Sequence, residues 1–322
     1  MLKALARAYD GSPLLDDITV ELIFDTSEET SLSVSHYIEE NPAEEADLAL
    51  IFDAFWSVRA EKGIERPVFS LPREAPPTTG VWIESLNTPA GPANQIADHV
   101  EAVIRSDAQA SLEDLAQKIA AMYADHPFDD PSYKRAKLTV DTSGMPTALK
   151  LITEVAGAQH GSAPQENRAE GANPLISLAN FLGALSETKV LVDNDVARMC
   201  RFVKDTWGTK VFGEGHPELL ERHDEVFGEG NGTTYAVTRF FTEPQPGAIS
   251  LKVDIRYAAG HHAEAWDGKS EGLLCGEKSK FADIFTQLVD GFNASSGGPP
   301  ISFTTTTASP PDVRRTDGPA FS

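Results

Sequence analysis

"ITVELIFDTSEETS", Ile18–Ser31, alternates apolar and polar side chains and then closes on two adjacent carboxylates, Glu28 and Glu29. Successive side chains of a strand point to opposite faces, so Ile18, Val20, Leu22 and Phe24 share one face and the stretch reads as a strand over 18–25. "SLSVSHYIEENP" follows as a short helix stopped by Pro42, whose ring cannot continue it. "DLALIFDAF", Asp47–Phe55, is then a near-continuous apolar run, the pattern of a strand covered on both faces. Strand, helix and strand at this spacing make a βαβ unit, which places the two strands parallel. Parallel strands end at one edge of the sheet. Glu28, Glu29 and Asp53 are therefore expected together, where open α/β sheets form their ligand crevice.

Carboxylates gathered at such an edge repel one another in a low dielectric unless a proton or a cation intervenes. A divalent ion resolves the repulsion, and oxygen ligands such as Glu29 and Asp53 suit zinc or manganese. Glu28 is then available as general base toward a metal-bound water. The alternative is that Glu28 and Glu29 open the following helix, where acids favour the positive end of the dipole. Spacing alone leaves both readings open.

The chain has 322 residues, which predicts one large or two medium domains. Its 49 acidic against 27 basic residues give a formal charge of -22, which repels nucleic-acid phosphates and anionic membranes and argues against both as partners. Cys200 and Cys275 are too few and too far apart for a disulfide framework or a cysteine zinc site, and read as inert core thiols in a reducing compartment. "MLKALARAYDGSP" has a helical period with Lys3 and Arg7 inside it rather than the layout of a signal peptide, and no apolar run approaches the ~18 residues of a membrane span. A cytoplasmic location is expected.

Beyond Val68 the texture changes, with Pro72, Pro76 and Pro77 punctuating a linker. Strands are expected at 79–87, 96–105, 136–140, 149–158, 234–242 and 249–257, and helices at 112–123 and 172–185. That pattern predicts an inserted α+β domain with an antiparallel sheet. The final helix, "KSKFADIFTQLVDGF", precedes a Gly-, Pro-, Ser- and Thr-rich segment from Asn293 onward that composition would leave mostly disordered.

Two further signals carry chemistry. In "VAGAQHGSAP" a strand ends at His160 and enters a turn, from which an imidazole can offer an N–H to a developing oxyanion, unless it is an ordinary exposed loop histidine. In "SLKVDIRYAAG" Leu251, Val253 and Ile255 form an apolar face and Arg256 lies opposite, as a carboxylate-binding fork or as one half of a surface ion pair. The pairs His261 with His262 and His216 with His223 have poor chelating spacing. There is no Gly-x-Gly-x-x-Gly turn, Walker loop or Gly-x-Ser-x-Gly elbow, so nucleotide and serine-hydrolase readings lose their usual support.

Taken in order, "ELIFDTSEETS", "IFDAFWSVRAEKGI", "ANQIADHVEAVI", "AQHGSAPQENRAEGANPLISLANFL" and "VDIRYAAG" resemble successive signatures of one zinc metallopeptidase family. It contains aminoacylase, carboxypeptidase G, carnosinase and succinyl-diaminopimelate desuccinylase, and the PepV-like dipeptidase branch is the most similar. The resemblance implies an α/β, mixed or parallel-sheet catalytic domain over 1–72 and 273–322, interrupted by an α+β lid domain over 73–272. It implies Glu28 as general base, Glu29 and Asp53 as ligands of two zinc ions with manganese or cobalt as alternatives, and Asn94, His160 and Arg256 as substrate-binding groups. Arg256 would grip the terminal carboxylate of a small peptide or N-acyl amino acid. The family's His-x-Asp ligand pair, its bridging Asp and its last metal histidine have no counterpart between Met1 and Ser322, so the implied metal site is incomplete in this chain. A metal-dependent hydrolase of the dipeptidase type is expected, as monomer or homodimer; the alternative is a non-catalytic binding module retaining the lid. The long segment between Thr188 and Gly232 favours a lid folded over its own site.

Overall fold

The computed structural model describes residues 36–37, 39–41, 60–157, 159–161, 173–210, 216, 232–257, 280–305, 307–309 and 312–313. Two compact units divide the chain, Met1–Asp53 and Ala54–Ser322. In the first, Tyr37 lies in a helical turn whose carbonyl accepts from the backbone N–H and the Nδ2 of Asn41, just short of Pro42. The strands expected at 18–25 and 47–55, and with them the parallel pair, lie outside the described residues. Pairings between described strands are antiparallel. What is described is a mixed arrangement of helices and antiparallel sheets.

The second unit runs β1 (Ala60–Glu61), β2 (Gly63–Glu65), β3 (Val68–Pro72), β4 (Val81–Asn87), β5 (Gln95–Ile96), β6 (His99–Ser106), α1 (Gln109–Asp125), β7 (Lys137–Asp141), β8 (Leu149–Glu154) and β9 (Gln159–His160). It continues with α2 (Pro174–Glu187), α3 (Asp195–Thr206), β10 (Thr234–Thr242), β11 (Ala248–Tyr257), α4 (Lys280–Ser296), β12 (Ser302–Thr304), β13 (Thr307–Ser309) and β14 (Asp312–Val313).

One sheet has the order β4-β6-β8-β7. Val100, Ala102 and Ile104 of β6 and Leu149 and Leu151 of β8 are buried at alternate positions, so one face is apolar and needs cover. Helix α1 brings Leu112, Leu115, Ile119 and Tyr123 into that core. Helix α2 is apolar nearly all round because it lies between this sheet and α3. Its start is set locally: Asn173 accepts from the N–H groups of Leu175 and Ile176, and Pro174 stands where a missing N–H costs nothing. Gly183 lets α2 and α3 approach closely, since a Cβ there would lie 3.0 Å from the carbonyl oxygen of Cys200.

The other sheet is organised on β11. Strand β10 pairs with it on one side; on the other, β3 pairs with its first half and β2 with its second. The break between β2 and β3 falls at Pro67, which has no N–H to give the ladder, although Val253 N–H still donates to its carbonyl at 3.1 Å. Strands β12 and β13 extend the sheet outward, against β3 and β2 respectively.

One expectation is corrected here. The described residues of the tail beyond Asn293 include strands at 302–304, 307–309 and 312–313, where composition suggested disorder: Asn293 clasps the backbone N–H and C=O of Ile301, both at 2.8 Å, and delivers 302–304 to an edge already formed. Its threonines, β-branched, suit such an edge. The segment between Thr188 and Gly232 includes α3, capped by Asn194 on Ala197 N–H. Around Phe69, the rings of Phe202, Trp207, Phe285 and Phe303 lie at 5.1 Å, 6.0 Å, 5.5 Å and 5.8 Å and bind sheet, α3 and α4 into one core.

The sheets meet where β10 passes the end of β4. Thr88 N–H donates to the Phe240 carbonyl at 3.0 Å, and Thr242 N–H to Asn87 Oδ1 at 2.8 Å. A buried ion pair, Arg73 Nε to Asp195 Oδ2 at 2.8 Å, ties the residue after β3 to the start of α3. Among the described residues no helix is long and apolar enough to cross a membrane.

Candidate functional site

Asn94 and His160 are brought side by side by the short β5–β9 ladder, in which Gln95 opposes His160. Gly161 N–H donates to the Asn94 carbonyl at 2.7 Å, and Asn94 Nδ2 lies 3.1 Å from His160 Nε2. An amide N–H and an imidazole nitrogen can form a hydrogen bond at this distance.

Arg239 holds the Asn94 loop from beneath. It is buried in β10 beside a register shift, where its side chain leaves the ladder and reaches the loop backbone. Its Nη1 donates to the carbonyls of Gln95 and Thr238 at 2.6 Å and 2.7 Å, and its Nη2 to that of Pro92 at 2.6 Å. Burial lowers the pKa of this guanidinium from its ordinary value, yet an arginine stays charged, and the carbonyls take the place of its hydration.

Asp254, fully buried at 0% exposure, sits on β11 opposite Ala236. Arg256 lies two residues on, hence on the same face, and its Nε donates to Asp254 Oδ2 at 2.7 Å. Arg66, in the break between β2 and β3, approaches the other oxygen, with Nε 3.7 Å from Oδ1. The His160–Gly161 turn rests against this group: a Cβ on Gly161 would stand 3.1 Å from the Ala236 Cβ and 3.4 Å from Asp254 Oδ2. A side chain at this position would be tightly confined.

Three of the six expected site residues, Asn94, His160 and Arg256, thus share one neighbourhood. The proposed base Glu28 and the proposed metal ligands Glu29 and Asp53 lie outside the described residues. Among the described residues no three His, Cys, Asp or Glu side chains converge as metal ligands would.

No protein-family model matches the chain, and no curated protein does. Among solved structures, the chain is similar to aminoacylhistidine dipeptidase from Vibrio alginolyticus, at 12% identity and a TM-score of 0.29. That likeness covers 80% of this chain and 46% of the dipeptidase, so the chain spans less than half of that protein's length.

Sequence reasoning passed over Asp254, Arg66 and Arg239. For Asp254 the signal is present: in "KVDIRY" it shares the polar face with Arg256, at a place where a lone acid opposite an apolar stripe needs a partner. Arg66 and Arg239 leave no periodic trace, since one sits in a ladder break and the other at a register shift. Cys200 behaves as expected, buried and with its thiol pushed up to about 12 by loss of solvent, so it offers no ready nucleophile. Cys275 lies outside the described residues.

Proposed function

We propose that the chain works as a metal-dependent hydrolase of the dipeptidase type, cleaving the amide bond of a dipeptide or N-acyl amino acid. The observation that supports this reading is the convergence of Asn94, His160 and Arg256, which come from distant parts of the sequence. In it, Arg256 receives the free carboxylate, Asn94 and His160 donate to the carbonyl oxygen as it gains charge, and Glu28 moves the proton. Zinc, with manganese or cobalt as alternatives, would supply an acidified water when bound, with Glu29 and Asp53 as this chain's ligands.

The test is hydrolysis of a panel of dipeptides and N-acyl amino acids with added zinc, manganese or cobalt. Turnover that falls at least about 100-fold in Glu28→Ala is expected, the scale on which general-base removal acts. Absence of turnover across the panel with every metal would overturn the reading.

A further inference from the structure

Asp254 is a buried anion approached by two arginines, and only one of them hydrogen-bonds to it. Arg256 Nε occupies Oδ2 at 2.7 Å, while Oδ1 is buried with no hydrogen-bond partner and has Arg66 Nε at 3.7 Å. Neither Nη of Arg256 has a hydrogen-bond partner among the described residues. The side chain of Arg256 is 14% exposed and that of Arg66 43%, so the group grades from a closed interior to an open rim. Two guanidinium groups and one carboxylate leave one positive charge, the complement of a single carboxylate ligand. A carboxylate is also planar and takes two parallel N–H bonds, which the Nη edge of an arginine provides.

We propose that Asp254 is the positioning residue of a two-arginine carboxylate clamp in which Arg66 is the second arm. Asp254 fixes the Arg256 plane by holding Nε, which turns the Nη edge outward. Arg66 swings over Oδ1 without ligand and shifts onto the ligand carboxylate when it arrives. Held this way, the guanidinium loses little rotamer freedom on binding, and the lowered ordering cost appears as affinity. This rests on the reading of Arg256 as a carboxylate group's receptor, and extends it to two residues that have no part in bond cleavage.

The experiment is calorimetric titration of the full chain with N-acetylglycine and, separately, with N-acetylglycinamide, which lacks the carboxylate. The parent chain is expected to bind the acid and not the amide. Arg256→Met should weaken the acid by about 10- to 100-fold, the range for loss of charge-assisted bonds, and Arg66→Met by about tenfold or less.

Asp254→Asn decides the positioning role through its sign. It removes a negative charge beside the anion site, so an Asp254 that merely sits nearby gives equal or tighter binding of the acid. A positioning Asp254 gives weaker binding, about tenfold, and a smaller preference for acid over amide. Asp254→Glu keeps the charge but displaces it by a methylene, is expected to weaken the acid as well, and serves if the asparagine variant does not fold by circular dichroism.

No acid binding by the parent chain would overturn the clamp together with the Arg256 reading beneath it. Binding that is lost in Arg256→Met yet unchanged or tighter when Asp254 is altered would overturn the role of Asp254 alone. Unchanged binding in Arg66→Met would remove the second arm.

Discussion

The outer face of the β4-β6-β8-β7 sheet and the polar face of β11 both carry charge pairs, cross-strand on the first and between Asp254 and Arg256 of one strand on the second, and they differ in burial. On the first, Lys150 meets Glu101 at 3.3 Å and Lys137 meets Glu154 at 2.7 Å, with Lys150 and Glu101 at 40% and 39% exposure. Water screens such pairs, and either partner can be lost at little cost. On the second, Asp254 has no solvent and depends on Arg256 and Arg66, while Arg239 depends on loop carbonyls for its bonds. Buried charge is expensive unless every bond is made, so its removal strands the groups left behind. The comparison teaches that charge on a sheet becomes informative about function only where the sheet also excludes water.

The largest effect should come from Arg239→Met, which keeps the apolar stem but leaves the carbonyls of Pro92, Gln95 and Thr238 without a donor. Loss of about 3 kcal/mol is expected, the scale for a charged hydrogen-bonding group. Chemical denaturation measures it. Hydrogen exchange should show the Gly161 amide, bonded to Asn94, losing protection along with the loop. A loss below about 1 kcal/mol with the amide still protected would erase the contrast between the two sheets.

An intermediate and pH-dependent effect is expected at His126, at the end of α1, packed against Phe128 at 4.7 Å and Phe181 at 5.7 Å. Burial first, then the Arg135 charge, lower its pKa from 6.5. Below that value the unfolded chain takes up the proton before the folded one does. Stability is therefore complete above about pH 6.5 and declines as the pH falls toward the depressed folded pKa. Melting temperature measured between pH 7.5 and 5 should fall more steeply in the parent than in His126→Gln, and parallel slopes would refute the assignment.

The smallest effect belongs to Lys150→Ala, which should cost under about 1 kcal/mol and less still in high salt. A loss comparable to that of Arg239→Met would show that the outer face of the four-stranded sheet is not the screened surface described above.

Much of the second unit could be read in advance. β10 and β11 fall at 234–242 and 248–257 against expectations of 234–242 and 249–257, because their flanking turns, with Gly and Pro, mark the ends. Helices α1 and α2 lie within a few residues of their expected ranges. Helix α3 went unread although Val196, Met199, Cys200 and Val203 repeat at helical spacing, with Asn194 as cap. The tail misled because Ser, Thr, Gly and Pro suggest disorder only when no partner edge waits for them. At the site, Arg256 could be placed on the polar face of its strand by alternation alone, whereas its pairing with Asp254 needed the side-chain geometry.

The sequence by itself determined faces and ends: which side of β11 is apolar, where β10 and β11 begin and stop, and that Cys200 would be an inert core thiol. Only the tertiary structure decided neighbours: that Arg66 reaches Asp254 through a ladder break at Pro67, that Arg239 clasps the Asn94 loop, and that Gly161 lies on Ala236. The reason is physical. Periodicity records the direction of each side chain relative to its own backbone, while the company a buried charge keeps depends on strand order and register across the whole sheet.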